Sequence, residues 1–149
     1  MSPRIDYYLL DQNAPQAVAH YTCRLLNKAY QAGLRIFVLT DSPAQSQLID
    51  DLLWTSSDAN FIPHALADSA EAVDPLSKIC IGNALNLELS KGFDMLVNMQ
   101  GVETLQGEQF DRVAELVSSD PAHKSAARKR YAAWRSMGAE QSLHEIRIN

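Results

Sequence analysis

The run Arg35 to Thr40 (RIFVLT) is almost continuously apolar. It lacks the alternation of a strand with one wet face and is typical of a strand covered on both sides. What flanks it fixes the rest of the fold class. Upstream, Val18, Tyr21, Thr22, Leu25 and Ala29 recur at helical spacing, and Gly33 supplies a left-handed stop just before the strand. Before that helix, Ile5 to Leu10 (IDYYLL) reads as a first strand. Asp11-Gln12-Asn13 breaks it and is expected to cap the helix, with Pro15 in the first turn. Downstream, Ser42 caps a second helix, Pro43 takes its first position and Gln45 completes a capping box. Leu48, Ile49, Leu52 and Leu53 form its buried face, and it ends near Trp54.

Beyond Trp54 the signals shorten. Ser56 to Asn60 and Asp68 to Pro75 read as loops, and Phe61-Ile62-Pro63-His64 as a short apolar segment between them. Lys78 to Ile81 (KICI) and Asp94 to Met99 (DMLVNM) read as strands, with a turn at Gly82-Asn83; Asn86 to Lys91 fits more than one state. Two helices are expected to close the chain. The first runs from about Glu108 to Val117 on the spacing of Phe110, Val113, Ala114 and Val117. The second is capped by Asp120, starts at Pro121 and reaches about Met137, where Gly138 ends it. Strands alternating with helices imply right-handed crossovers. The expectation is a Rossmann-like three-layer α/β fold with a mostly parallel sheet, in one domain over residues 1–149.

A net charge of −5 argues against a general nucleic-acid binder. The charge is unevenly spread: Pro121 to Ala139 holds five basic residues and no acidic one, leaving eight basic against eighteen acidic elsewhere. A positive patch on an acidic body suits a local anionic partner. Cys23 and Cys80 belong to no CxxC or Cys/His cluster and read as small buried apolar residues. No apolar run approaches the ~20 residues that span a bilayer. The N-terminus lacks the apolar stretch of a signal peptide, so the expected location is cytoplasmic.

The chemistry of an enzyme is not visible. The turn after the first strand, Asp11-Gln12-Asn13-Ala14-Pro15, has no glycine where a nucleotide-binding loop needs close backbone approach. There is no GxxxxGK[ST] and no GxSxG. His20, His64, His123 and His144 do not stand at metal-ligand spacing, and His64 reads as a packed or half-buried residue, not a base. Asp50 and Asp51 are neighbours on a helix and do not face each other, so they read as a solvated pair. No catalytic residue, metal or cofactor is expected. Two rivals remain, a small nucleotide-binding enzyme on this fold and direct nucleic-acid binding by the C-terminal basic helix.

Two features resemble binding sites. Lys124, Arg128, Tyr131 and Arg135 follow i, i+4, i+7, i+11 along the last helix and form one stripe. Arginine offers a forked donor set that matches a carboxylate, and tyrosine a ring wall with a polar tip. The plain alternative is a solvated basic face with Tyr131 and Trp134 packing inward. The second feature is Trp54 with Phe61, Ile62 and Pro63, either core packing or an interface anchor.

Three motifs in order resemble the chi subunit of bacterial DNA polymerase III. They are Tyr7-Tyr8-Leu9-Leu10-Asp11, then Leu52-Leu53-Trp54 followed by Phe61-Ile62-Pro63-His64, and Ala127-Arg128-Lys129-Arg130-Tyr131 through Trp134-Arg135 to Gly138. The resemblance implies a non-catalytic adaptor of the clamp loader. Such an adaptor grips the acidic C-terminal tail of single-stranded DNA-binding protein (SSB) and pairs with a psi subunit, so that nucleic acid is reached only through SSB. It places the terminal carboxylate of the tail on Arg128, its terminal phenylalanine against Tyr131 and Val117, and the preceding acidic residues near Lys124. Arg135 is an extension from the stripe. Trp54 and Phe61 would anchor psi or an equivalent partner. Alanines at 132 and 133 leave this helix fewer cations than some relatives.

Overall fold

The computed structural model describes residues 2–55, 62–67, 77–85 and 91–148. Ten elements follow in order: β1 (Arg4–Leu10), α1 (Pro15–Gln31), β2 (Ile36–Leu39), α2 (Pro43–Thr55), β3 (His64–Leu66), β4 (Ile79–Gly82), β5 (Met95–Asn98), β6 (Arg112–Val117), α3 (Pro121–Ser136) and β7 (Gln141–Ile146). The seven strands form one sheet in the order β3-β4-β2-β5-β6-β1-β7, and every pairing is parallel. Helices flank it, giving the Rossmann-like three-layer arrangement.

The apolar run at β2 now has its reason. Side chains alternate across a strand, and each face of β2 meets a different core. Ile36 and Val38 pack with Val18 and Leu26 of α1 and Ile49 and Leu53 of α2. Phe37 and Leu39 share the opposite core with Ile5 and Tyr7 of β1 and with Ala127 and Trp134 of α3. Thus α1 and α2 cover one face and α3 the other.

Local signals held at the Gly33 stop and at the caps of α3 and α2. Gly33 has φ of 87°, beyond the range of an ordinary L-residue. Asp120 Oδ1 accepts a 2.8 Å bond from the Ala122 amide. At α2 the amide of Gln45 donates to Ser42 Oγ at 3.1 Å, while Gln45 Oε1 accepts from the amide of Asp41, one residue before the expected partner.

Three expectations fail. Residues 108–117 are not a helix, since Arg112–Val117 is strand β6 between β5 and β1. The spacing of Phe110, Val113, Ala114 and Val117 fits a helix, but a strand buried on both faces needs no alternation, and its valines favour the pleated surface. Asp11-Gln12-Asn13 does not cap α1: the N-cap is Ala14 and no side chain bonds there. Instead Asp11 Oδ1 accepts from the Ile148 amide at 2.9 Å, and Gln12 Nε2 donates to the Ile148 carbonyl. The solvated aspartate pair is divided, because Asp51 is exposed while Asp50 is half-buried with its Oδ1 3.3 Å from His64 Nε2. His64 itself, expected to be packed or half-buried, is buried, with Nδ1 2.7 Å from the Ile62 carbonyl. The readings at Ser56 to Asn60, Phe61 and Asp68 to Pro75, and that at Asn86 to Lys91 up to residue 90, lie outside the described residues.

Candidate functional site

The α3 face of the sheet holds a groove of about 800 Å³ at the β1–β7 edge. Parallel pairing sets Tyr7 beside Leu143 and Leu9 beside Glu145, so these four side chains share its floor. From α3 come Lys124, Ala127, Arg128 and Tyr131, at helical spacing along one side of the helix. Val117 at the end of β6 and Leu10, Asp11, Ile146 and Arg147 complete the lining.

A short chain of bonds fixes the inner end. The Tyr7 hydroxyl donates to Gln141 Oε1 at 2.7 Å, and Gln141 Nε2 donates to the Tyr131 carbonyl at 3.1 Å. The Tyr7 and Tyr131 rings meet at 5.7 Å between centroids, tilted by 56°. β1, β7 and α3 are thereby tied at one point. Burial, and then the nearby Glu115 carboxylate, push the Tyr7 hydroxyl above its ordinary range, so it stays a neutral donor.

The basic residues of α3 have three different fates. Arg130 is 2% exposed: its Nε and Nη2 donate to the Glu115 carboxylate at 3.1 and 3.2 Å, and its Nη1 donates to the Val102 carbonyl. Asn98 Nδ2 adds a bond to Glu115 at 2.8 Å. Lys129 is exposed and pairs with Glu103. Lys124, Arg128 and Arg135 are exposed and, among the described residues, form no ion pair. A helical offset of two residues turns a side chain by about 200°, which separates Arg130 in the core from Arg128 on the groove.

Of the residues singled out in the sequence, Val117, Lys124, Arg128 and Tyr131 meet around the groove, while Arg135 lies beyond its lining. Trp134 packs inward, fully buried. Trp54 is 57% exposed at the end of α2, its ring 4.8 Å from that of His64; Phe61 lies outside the described residues. Sequence reasoning missed Leu143, Glu145 and Arg147, which reach the groove only because β7 pairs with β1 across the chain.

The carboxyl ends of parallel strands are where such sheets commonly hold ligands. Just beyond β5, Gln100 spans the carboxyl ends of β2 and β4. Its Nε2 donates to the carbonyls of Thr40 and Asn83, each at 2.9 Å, and its Oε1 accepts from Gln106 Nε2. Cys23 and Cys80 are buried, and burial pushes both thiols up to about 12. No helix among the described residues is long and apolar enough to cross a membrane.

Comparison with known proteins points one way. The family described as DNA polymerase III chi subunit, HolC, matches residues 2–142. A protein of Pseudomonas aeruginosa named DNA polymerase III subunit chi is 31% identical over 147 residues, covering 96% of each chain. The Haemophilus influenzae protein of the same name is 27% identical, over 98% of this chain and 99% of its own. That of Escherichia coli is 24% identical, over 89% and 90%. With nearly its whole length matched, the chain belongs to the chi subunit family of DNA polymerase III.

Proposed function

We propose that the chain is a non-catalytic adaptor whose groove receives the acidic C-terminal tail of SSB, linking polymerase III to SSB-coated DNA. The observation that carries this reading is the convergence of Lys124 and Arg128, which form no ion pair among the described residues, with Tyr131 and Val117 over a largely apolar floor. A terminal carboxylate meets a forked donor at Arg128. An apolar terminal side chain rests among Tyr131, Val117 and Leu9, and the preceding acidic residues face Lys124. Arg135, outside the lining, contributes at long range. With Arg130 buried and Lys129 paired, α3 presents fewer free cations than direct nucleic-acid binding would use. On α2, exposed Trp54 is the anchor for a psi-type partner, together with Phe61.

The test is calorimetric titration with an SSB-tail peptide ending in Asp-Ile-Pro-Phe, beside a copy amidated at its C-terminus. A short peptide end held by one groove and a few charge-assisted bonds is expected at the ~μM level, about −8 kcal/mol. The amide, lacking the carboxylate, binds little. Arg128→Ala abolishes tail binding with the fold intact by circular dichroism, and Trp54→Ala leaves it unchanged while weakening the psi-type contact. No binding of either peptide removes the tail from this reading.

A further inference from the structure

The family match ends at residue 142, yet residues beyond it line the groove on the β7 side. Resting on the reading above, that an acidic peptide end binds here, we infer that Arg147 is a further cation of the site, holding the acidic residues that precede the peptide's last one. Charge balance favours this. The lining carries Lys124, Arg128 and Arg147 against Asp11 and Glu145, so that without Arg147 cations and carboxylates would cancel. A groove of no net charge is a poor receiver of an acidic chain.

Availability is the second support. Arg147 is exposed and, among the described residues, forms no ion pair, so no described carboxylate holds its guanidinium. Placement is the third. Ile148 is buried in the α1 core and its amide and carbonyl are held by Asp11 and Gln12. On the other side, the Ile146 carbonyl accepts from the Asp11 amide at 3.2 Å. The backbone of Arg147 is therefore fixed at both neighbours, which lowers the entropy lost when its side chain engages a ligand.

Two probes are titrated into the full chain, the tetrapeptide Asp-Ile-Pro-Phe and a longer Asp-Asp-Asp-Ile-Pro-Phe. Arg147→Ala is expected to weaken the longer peptide about fivefold at low salt and the tetrapeptide less than about twofold, a gap that narrows near 0.3 M salt. Arg147→Gln, which keeps the stem, behaves like Arg147→Ala, whereas Arg147→Lys retains most of the affinity. If Arg147→Ala or Arg147→Gln binds the longer peptide as tightly as the parent while Arg128→Ala loses both, the inference fails and the tail reading stands. If the parent chain binds neither peptide, both fall together.

Discussion

Replacing Arg130 by alanine removes three donated bonds from the core, two to Glu115 and one to the Val102 carbonyl. It also leaves Glu115, 1% exposed, with Asn98 as its remaining side-chain partner among the described residues. Breaking a buried ion pair from one side costs about 3–5 kcal/mol, because the partner stays desolvated and charged. In a chain of this length that corresponds to a fall in Tm of roughly 6–20 °C. The penalty also depends on pH. Burial raises the Glu115 carboxyl above its usual range, opposed by Arg130 and by the Asn98 bond. Without Arg130 the folded-state pKa rises further, so the folded variant takes up a proton at higher pH than the unfolded chain. The destabilisation is therefore full above that folded pKa and fades as pH falls toward the unfolded value of about 4.3. Urea unfolding followed by circular dichroism at pH 8 and pH 5 reads both effects. A cost below about 1 kcal/mol at pH 8, or the same cost at both pH values, would refute the view that Arg130 neutralises a buried carboxylate. Arg130→Met combined with Glu115→Gln recovers part of the loss, since no charge is then buried and Asn98 keeps an acceptor.

Glu145→Gln removes a carboxylate from the groove floor and should tighten the free-acid tail peptide by about two- to fivefold at low salt, and less at high salt, by calorimetry. Gly107→Ala places a Cβ 2.7 Å from Leu96 Cδ2 at a φ of 97°. It should destabilise the fold by about 1–3 kcal/mol in the same urea assay, and a neutral result would mean that the β5–β6 connection relaxes freely. With both thiols raised to about 12, Cys23 and Cys80 should resist alkylation in the native state at pH 8 and react on unfolding, as mass spectrometry would read.

What the sequence revealed depended on whether the signal was local. β2, the Gly33 stop and the Asp120 cap were legible because a run, a φ requirement and a side-chain bond each act within a few residues. β6 was misread because two-sided burial erases the period that separates strand from helix, and the pairings that settle it lie with β1 and β5. β7 gave no signal: it is an edge strand with Leu143 59% exposed, specified by its register with β1. The site divided the same way. Lys124, Arg128 and Tyr131 share a helix, so their spacing brought them together, whereas Leu143, Glu145 and Arg147 arrive from a distant part of the chain. Asp11 and Gln12 looked like capping residues because type and position fitted; only the tertiary fold shows that they hold Ile148.

The division of the sheet into two faces has a mechanical consequence. Trp54 belongs to the helix layer that shares a core with α1, and the groove to the layer of α3, so a full sheet separates them. Packed layers of this kind stand ~10 Å apart and deform little. Partners seated at the two places would neither collide nor compete. Each would raise the local concentration of the other, and two weak grips could then hold an assembly together while either one alone lets go.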